Sequence, residues 1–194
     1  MLPGVARTDT RERILDTAER LFFVDGIGVT GVDRVASEAG VAIATLYQHV
    51  GSKDRLLAAV LERRLAAWTA QWEASVAAAG SPRDRVLALF DALAEFRGSS
   101  GTTQWCCFLA TASERPRAAG GDDPVLSLVE ADTTVLVVRL RELVHEAGTA
   151  DLEGTVARLL VVYNGALASL LRGAPADPLT QARAIADALL PAVA

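Results

Sequence analysis

Apolar residues recur along most of the chain at intervals of three and four positions, the spacing of one face of an α-helix. The first such stripe follows Thr8 or Thr10, either of which can cap a helix N-terminus, and it ends at Gly26. Its apolar members are Ile14, Ala18, Leu21 and Phe22. The sustained alternation of apolar and polar residues that is typical of strands is missing from the sequence. The pattern therefore predicts an all-α protein of about nine helices, three short and six longer.

Two short helices come next, separated by a glycine. The first is predicted to begin at Thr30, which has the spacing of a capping box with an aspartate three residues later, and Gly40 ends it at a sharp turn. The second covers about Ala42–Val50, with Leu46 directed inward. Two short helices joined by a tight turn match the helix-turn-helix pattern, in which the second helix enters the major groove of DNA.

Six further helices are predicted from start and stop signals in the rest of the chain. Ser52 caps the longest of them, and Pro82, Pro124 and Pro178 each stand at a first helical position, where proline is favoured. The predicted spans are about 52–79, 82–97, 103–113, 123–147, 151–172 and 177–191. This organisation predicts a three-helix helix-turn-helix domain at residues 1–51 and a larger helical domain at residues 52–194.

The net charge of −5 at first argues against a nucleic-acid partner, but the distribution of charge matters more than its sum. Residues 1–64 carry nine basic and nine acidic side chains, whereas the remainder carries ten basic and fifteen acidic ones. The net acidity therefore lies in the second, larger part of the chain. A local basic face remains possible in the first part.

The sequence predicts a cytoplasmic protein without a membrane segment. The most apolar run, residues 155–171, is interrupted by Arg158 and Asn164 and is shorter than the roughly 20 residues that span a bilayer. The first 13 residues are rich in charge and lack the apolar stretch of a secretory signal. Cys106 and Cys107 are adjacent, which suits neither a disulfide framework nor a zinc site, so no cofactor is expected.

The outward face of the predicted helix 43–50 carries hydroxyl, amide and imidazole groups and no carboxylate, as a helix that approaches a polyanion requires. Its residues are Ile43, Ala44, Thr45, Gln48 and His49. Tyr47 and Lys53, the only lysine of the chain, add a phenolic hydroxyl and a point charge that suit phosphate oxygens, and Thr30 adds a further hydroxyl. Each of these residues has an ordinary structural explanation when taken singly. Their joint spacing favours DNA binding.

The stretch TGVDRVASEAGVAIATLYQHVGSKDRLL, residues 30–57, resembles the N-terminal domain of TetR-family transcriptional regulators. The resemblance covers about residues 11–60 and is most specific in the spacing of the Tyr-x-His and Ser-Lys pairs. It implies that the residues in contact with phosphates are Thr45, Tyr47, His49 and Lys53. It implies that those nearest the base edges are Ile43, Ala44 and Gln48.

Departures from the family pattern bear on the operator sequence rather than on DNA binding itself. Ala42 stands where the family commonly has a capping Ser or Thr, which costs the helix about 1 kcal/mol of local stability. Gln48 is the one residue of this face suited to a bidentate base contact, with adenine. Arg34 from the preceding helix, and Arg7 or Arg11 from an N-terminal arm in the minor groove, are expected to add contacts.

The resemblance also implies a homodimer formed by the last two helices, so that two reading helices meet a palindromic operator about one helical turn of DNA apart. The candidate interface residues are Gly165, Ala166, Ser169, Ile185 and Leu189. Small residues let a partner helix approach closely; alternatively they pack within one monomer. Binding of an effector is expected to swing the helix at 52–79, provided that the effector's affinity differs between the two states.

Aromatic residues concentrate in the helices that would enclose a pocket for a small apolar effector. The candidate lining residues are Trp68, Trp72, Phe90, Gln104, Trp105, Cys106, Phe108, Thr111 and Tyr163. Any one of the aromatic residues could equally belong to the core. Cys106 and Cys107 are expected to be buried apolar residues rather than oxidant sensors, because nothing basic lies beside them in the sequence.

Other functions are weighed against this one. An enzyme is disfavoured, because His49 and His145 are the only histidines and neither stands in a nucleophile, phosphate-loop or metal-binding motif. A helical dimer that acts through protein partners without specific DNA reading is the alternative, and the intact set of phosphate donors argues against it. Activation of transcription also remains open, since the same docking on DNA could recruit polymerase.

Overall fold

The computed structural model describes residues 9–99, 106–115 and 123–191, and the regular structure of these residues is α-helical. In chain order the helices are α1 (Thr10–Val24), α2 (Val32–Glu38), α3 (Ile43–Val50), α4 (Lys53–Ala78), α5 (Pro82–Ser99), α6 (Cys107–Glu114), α7 (Pro124–Glu146), α8 (Leu152–Arg172) and α9 (Pro178–Ala188). The predicted all-α fold, with a three-helix N-terminal unit, is confirmed.

Two of the predicted helix caps near the N-terminus are wrong. The Asp9 carboxylate, rather than a threonine hydroxyl, caps α1 by accepting a hydrogen bond from the backbone N–H of Arg11 at 3.3 Å. Gly31 is the N-cap of α2, and no side chain caps this helix, so the predicted capping box at Thr30 is absent. The turn between α2 and α3 is as predicted: Gly40 has a φ of +66°, which glycine adopts at little cost.

The later helices largely begin where the sequence predicts. The Ser52 hydroxyl caps α4 by accepting a hydrogen bond from the backbone N–H of Arg55 at 3.1 Å. Asp123 caps α7 in the same way, with the N–H of Val125 at 2.9 Å. Two boundaries differ: α5 continues to residue 99, past the predicted loop start at 98, and α6 begins at Cys107 rather than at residue 103.

Buried apolar side chains form two clusters, and α4 contributes to both. The N-terminal cluster joins α1, α2 and α3 to the first turns of α4 through Leu56 and Leu61, and it includes Phe108 of α6. The C-terminal cluster contains Trp72 from the second half of α4 and Phe90 from α5, together with residues of α7, α8 and α9. One continuous helix therefore connects the two clusters. The predicted domain boundary, between residues 51 and 52, lies directly before Ser52, the N-cap of this helix.

Ion pairs fix α1 on α4. The Arg63 guanidinium lies 2.7 to 3.1 Å from carboxylates of Glu12, Asp16 and Glu19, and Arg64 lies 3.1 Å from Glu19. Partly exposed pairs of this kind each contribute only about 0–1 kcal/mol to stability. The planar fork of arginine nevertheless constrains the directions in which the side chains meet. These pairs orient the N-terminal helices relative to α4.

Helix α8 is long and apolar enough to cross a membrane by length and composition alone. In this structure it packs between α7 and α9, and Leu159, Tyr163 and Leu167 on one of its faces are buried in the C-terminal cluster. The core helix of a globular domain passes the same test. The opposite face of α8 is exposed, and Val161 on that face is 72% exposed.

Candidate DNA-binding surface and effector cavity

Helix α3 buries one face and exposes the other, as its sequence predicts. Leu46 and Val50 are buried in the N-terminal cluster. The exposed side chains of the helix are Ile43, Ala44, Tyr47, Gln48 and His49, and Thr45 is half-buried. This face of α3 has no carboxylate, so nothing on it repels a phosphate group.

Lys53 lies where α4 begins, beside the loop that joins α1 to α2. Its Nζ is 3.4 Å from the backbone oxygen of Gly28, and its side chain is half-buried. An ammonium group has three donors, so this one long hydrogen bond leaves two for a phosphate. Tyr47 on the outer face of α3 is 45% exposed. Both side chains are therefore placed to donate to a bound polyanion.

Thr30 is not available to DNA, and its predicted role as a phosphate donor is wrong. The residue is 0% exposed. Its hydroxyl donates to the backbone oxygen of Gly26 at 2.8 Å and lies 3.2 Å from that of Leu21. Both acceptors belong to the C-terminal end of α1 and the loop after it. The Thr30 hydroxyl therefore holds the start of α2 against the end of α1 and the loop that follows it.

Replacing Thr30 with valine is expected to lower the free energy of unfolding by about 1–3 kcal/mol, because the Gly26 oxygen loses its donor. Operator affinity of the folded variant is expected to stay within about threefold of wild type. Urea unfolding followed by circular dichroism, together with DNA titration, measures both quantities. Thr133→Val is the matched control, since the Thr133 hydroxyl donates to the oxygen of Val129 at an exposed site. A selective loss of DNA affinity in folded Thr30→Val would contradict the structural role.

Arg34 is also engaged within the protein, which does not fit its predicted role as a helper in DNA binding. Its guanidinium binds Asp25 at 2.7 Å and Glu38 at 2.9 Å. Arg20 binds Glu38 as well, and the two arginines lower the pKa of the Glu38 carboxyl. This cluster ties α1 to α2. Arg7 lies outside the described residues.

The C-terminal end of α6 holds the N-terminal helices through two adjacent charged residues. The Glu114 carboxylate accepts hydrogen bonds from the backbone N–H groups of Ile27 at 3.2 Å and Gly28 at 2.7 Å, in the loop between α1 and α2. Arg115 binds both carboxylate oxygens of Asp54 in α4, at 2.9 and 3.0 Å. We call Glu114 and Arg115 the α6 clasp. Sequence reasoning missed it, because partners about 60 to 90 positions apart leave no local signal.

A cavity lies between α4, α5, α7 and α8, beside the start of α6. It contains about 460 Å³ of empty space that is continuous with solvent, of which about 40 Å³ is wide enough for the centre of a water molecule. Four of the predicted pocket residues line it: Trp68, Cys106, Phe108 and Tyr163. The lining residues that were not predicted include Arg64, Phe96 and Asp132.

Three predicted pocket residues belong to the packed interior instead. Trp72 and Phe90 are buried in the C-terminal cluster and do not line the cavity. Thr111 is fully buried, and its hydroxyl donates to the backbone oxygen of Cys107 at 2.8 Å. A helical stripe of aromatic residues cannot by itself distinguish a core from a cavity wall. Gln104 and Trp105 lie outside the described residues.

Burial shifts the acid–base behaviour of the groups around the cavity. The Asp132 carboxyl has its pKa raised to about 6 by burial alone. The hydrogen bond with Cys106 and burial raise the pKa of the Cys107 thiol. Arg64 from α4 lies near Cys107, so a basic neighbour is present in space although none exists in the sequence. The Cys107 thiol is nevertheless buried and protonated, as expected of a core residue.

The exposed face of α8 carries an apolar stripe. Its members are Ala157, Val161, Gly165, Ala168 and Leu171, spaced by three and four residues. In the described part of the chain, nothing lies within 4 Å of a Cβ added at Gly165. Packing within one monomer therefore does not explain the glycine at this position.

The other predicted interface residues divide by burial. Ile185 of α9 is 52% exposed, and Ser169 and Leu189 are half-buried. Ala166 is buried inside the monomer, so its predicted place in the interface is wrong. One position along a helix is a rotation of about 100°, which separates Ala166 from the exposed Gly165.

Helix α3 follows a tight turn, buries one face against the neighbouring helices and exposes the other face beside Lys53. This arrangement is typical of helix-turn-helix DNA-binding proteins. Comparison of the sequence supports this class. Residues 14–60 match the family model of bacterial regulatory proteins of the tetR family. An HTH-type transcriptional regulator of Staphylococcus aureus is 32% identical over 65 residues, 34% of this chain and 35% of that protein. The HTH-type transcriptional activator FasR of Mycolicibacterium smegmatis is 39% identical over 59 residues, 30% of this chain and 27% of that protein.

These curated relatives are matched over about a third of their length or less. Solved structures match over nearly the whole chain. SCO4454, a TetR-family regulator from Streptomyces coelicolor, has a TM-score of 0.83 at 28% identity, covering 93% of both chains. A regulator from Saccharomonospora viridis in complex with choline shares the fold, with a TM-score of 0.79 at 20% identity, covering 93% of this chain and 94% of that one.

A TetR-type regulator from Streptomyces avermitilis is 30% identical, with a TM-score of 0.72, and the match covers 93% of this chain and 99% of that one. The chain belongs to the TetR family of transcriptional regulators. It is a DNA-binding regulator of transcription, and the proteins that it matches are regulators rather than enzymes.

Proposed function

We propose that this protein is a cytoplasmic homodimeric repressor that binds a palindromic operator and is released from it by a small effector. The observation that carries the proposal is the exposed face of α3, where donors for phosphates and bases stand without a carboxylate. Repression requires only that the bound dimer occupy its site on DNA. The proposal invokes no metal or other cofactor.

The proposed roles on DNA follow from the exposure of each side chain. The residues that would bind phosphates are Thr45, Tyr47, His49 and Lys53. Gln48 would read an adenine through its amide, while Ile43 and Ala44 would contact thymine methyl groups. Arg11 is exposed near the start of α1, where an N-terminal arm would enter the minor groove.

The proposed dimer interface is the apolar stripe of α8 together with the exposed side of α9. An exposed valine, a glycine with open space above it, and Ile185 form a surface that a second copy could cover. A two-fold axis between the copies would bring the same surface to itself. It would also present two α3 helices to successive major grooves.

Helix α6 is the proposed connection between the effector cavity and the DNA-binding helices. Phe108 near its start lines the cavity, and the α6 clasp at its end holds the loop after α1 and the first turn of α4. An effector that displaces the start of α6 would move the clasp and α4 with it. Release from DNA then follows if the effector binds the displaced state more tightly than the DNA-bound state.

Fluorescence anisotropy with labelled DNA from the region flanking the protein's own gene tests the proposal. We expect tight binding to a palindromic segment and weaker binding to random DNA of equal length. A plot of log affinity against log salt concentration should have a slope of about −0.9 for each phosphate neutralised. Equal affinity for both DNAs would remove specific operator recognition. A lack of binding at low salt would favour a helical dimer that acts through protein partners.

A further inference from the structure

The geometry of the cavity points to a small organic ammonium ion as the effector, held between the Asp132 carboxylate and the rings of Trp68, Phe96 and Tyr163. This inference rests on the proposed ligand-controlled regulation and specifies the chemistry of the effector. It replaces the expectation of a small, predominantly apolar effector with that of a cation in an apolar cavity.

The three rings meet around Trp68. The centroid of Trp68 is 5.6 Å from that of Phe96, with their planes at 64°, and 6.5 Å from that of Tyr163, with their planes at 34°. All three rings line the cavity. Aromatic faces carry the negative part of the ring quadrupole and attract a cation within about 6 Å.

Asp132 brings a negative charge to the wall of the cavity. Among the described residues its carboxylate has no hydrogen-bond or ion-pair partner, although it lines the cavity from α7. Buried polar groups in folded proteins are nearly always paired. A bound ammonium ion would provide the missing partner and would favour the ionised carboxylate.

Two basic residues also line the cavity, and they raise the competing possibility that the effector is an anion. The Arg64 guanidinium is 12% exposed, binds Glu19 at 3.1 Å and stacks 4.6 Å from the centre of the Phe96 ring. Its charge is therefore already compensated, and it covers one face of the Phe96 ring. Arg97 of α5 also lines the cavity and would favour an organic anion instead. Binding of cations and anions must therefore be compared directly.

The shape of the cavity limits the size of the group that enters. Only about 40 Å³ of the cavity is wide enough for the centre of a water molecule, well below the roughly 300 Å³ or more of a typical small-molecule site. A compact charged head group can reach Asp132 if the ring side chains shift, while any tail extends toward the open side. Such a shift would change the fluorescence of Trp68.

The test compares choline with its neutral isostere, in which carbon replaces the quaternary nitrogen. Binding to the full-length protein is followed by tryptophan fluorescence and by calorimetry. We expect choline to bind at least about tenfold more tightly than the isostere. Asp132→Asn is expected to weaken choline at least about tenfold and to leave the isostere within about threefold. Asp177→Asn is the control, because it removes the same charge at an exposed residue with no side-chain capping bond.

The pH dependence gives a second readout. The charged or titratable groups that share the cavity with Asp132 are Arg64, Arg97, Cys106, Cys107 and Tyr163. Burial helps to raise the pKa values of Cys107 and Tyr163, which keeps both groups neutral, whereas the hydrogen bond with Cys107 lowers the pKa of the Cys106 thiol. Asp132 is the carboxyl of this set. With a pKa of about 6, it is mostly protonated at about pH 5, and choline affinity should fall roughly tenfold between about pH 7.5 and that value. The fall should vanish in Asp132→Asn.

Equal affinity for choline and its isostere, or unchanged choline affinity in Asp132→Asn, would overturn the inference. Absence of any binding at millimolar choline, or preferential binding of benzoate as an organic anion, would overturn it too. DNA titration of the same samples distinguishes failure of this inference from failure of the proposed ligand-controlled release. Operator binding without choline binding rejects the inference alone, whereas choline binding that never weakens operator binding rejects ligand-controlled release.

Discussion

Val161→Glu is expected to convert the proposed dimer into a monomer and to weaken operator binding by at least about a hundredfold. Val161 is 72% exposed at the centre of the apolar stripe of α8. In a two-fold interface the same residue lies on both subunits, so the substitution places two carboxylates in one desolvated surface. A monomer would meet one half-site only and would lose the contribution of the second reading helix.

The measurement is molar mass by light scattering, with DNA anisotropy on the same samples. Val29→Glu is the control for oligomeric state, because Val29 is 77% exposed in the loop between α1 and α2. Gly165→Leu tests the same interface without adding a charge, and the open space above Gly165 means that the monomer can accept it. Retention of the dimer by both α8 variants would place the interface elsewhere.

The outward face of α3 could be predicted from sequence because helical periodicity fixes it. Once Leu46 and Val50 are assigned to the core, helical geometry requires the positions opposite them to face outward. The structure shows these positions exposed or half-buried. The all-helical fold is predictable for the same reason. Whether each exposed side chain touches DNA remains a prediction, since exposure is necessary for contact and does not demonstrate it.

Thr30 shows where local pattern reasoning fails. A threonine three residues before an acidic residue fits a capping box, but the hydroxyl reaches back to two carbonyl oxygens at the end of α1. The Leu21 oxygen also accepts from the backbone N–H of Asp25, whereas the Gly26 oxygen lies in the loop after α1 and accepts from the Thr30 hydroxyl. A buried carbonyl needs a donor as much as a buried N–H needs an acceptor. Local spacing could not distinguish these two uses of one hydroxyl.

Asp132 and the α6 clasp could not be found from sequence for a different reason. The Asp132 carboxylate matters because α4, α5 and α8 bring aromatic rings to it, and no spacing within α7 reveals that. The clasp likewise joins Arg115 to Asp54 across 61 positions. Such arrangements depend on the packing of whole helices, whereas periodicity describes one helix at a time.

Tyr47→Phe is expected to weaken operator binding at least about a hundredfold, although it removes only one hydroxyl from each chain. A hydrogen bond from a neutral donor to a charged phosphate contributes about 1.5 kcal/mol or more, and a dimer loses two of them. The ring remains, so α3 keeps its packing and the fold is undisturbed. Thr133→Val is the control, because it removes a hydroxyl at an exposed site of α7 that lies outside the proposed DNA surface and the cavity lining.

Salt dependence distinguishes this loss from that of a charge. A neutral phenol releases no counterion, so Tyr47→Phe should shift the plot of log affinity against log salt downward without changing its slope. Lys53→Gln should reduce the slope by about one for each chain, because each ammonium neutralises one phosphate. A changed slope in Tyr47→Phe, or an unchanged slope in Lys53→Gln, would mean that these two side chains do not both bind phosphates in the proposed way. Unchanged affinity in both variants would remove the proposed DNA surface.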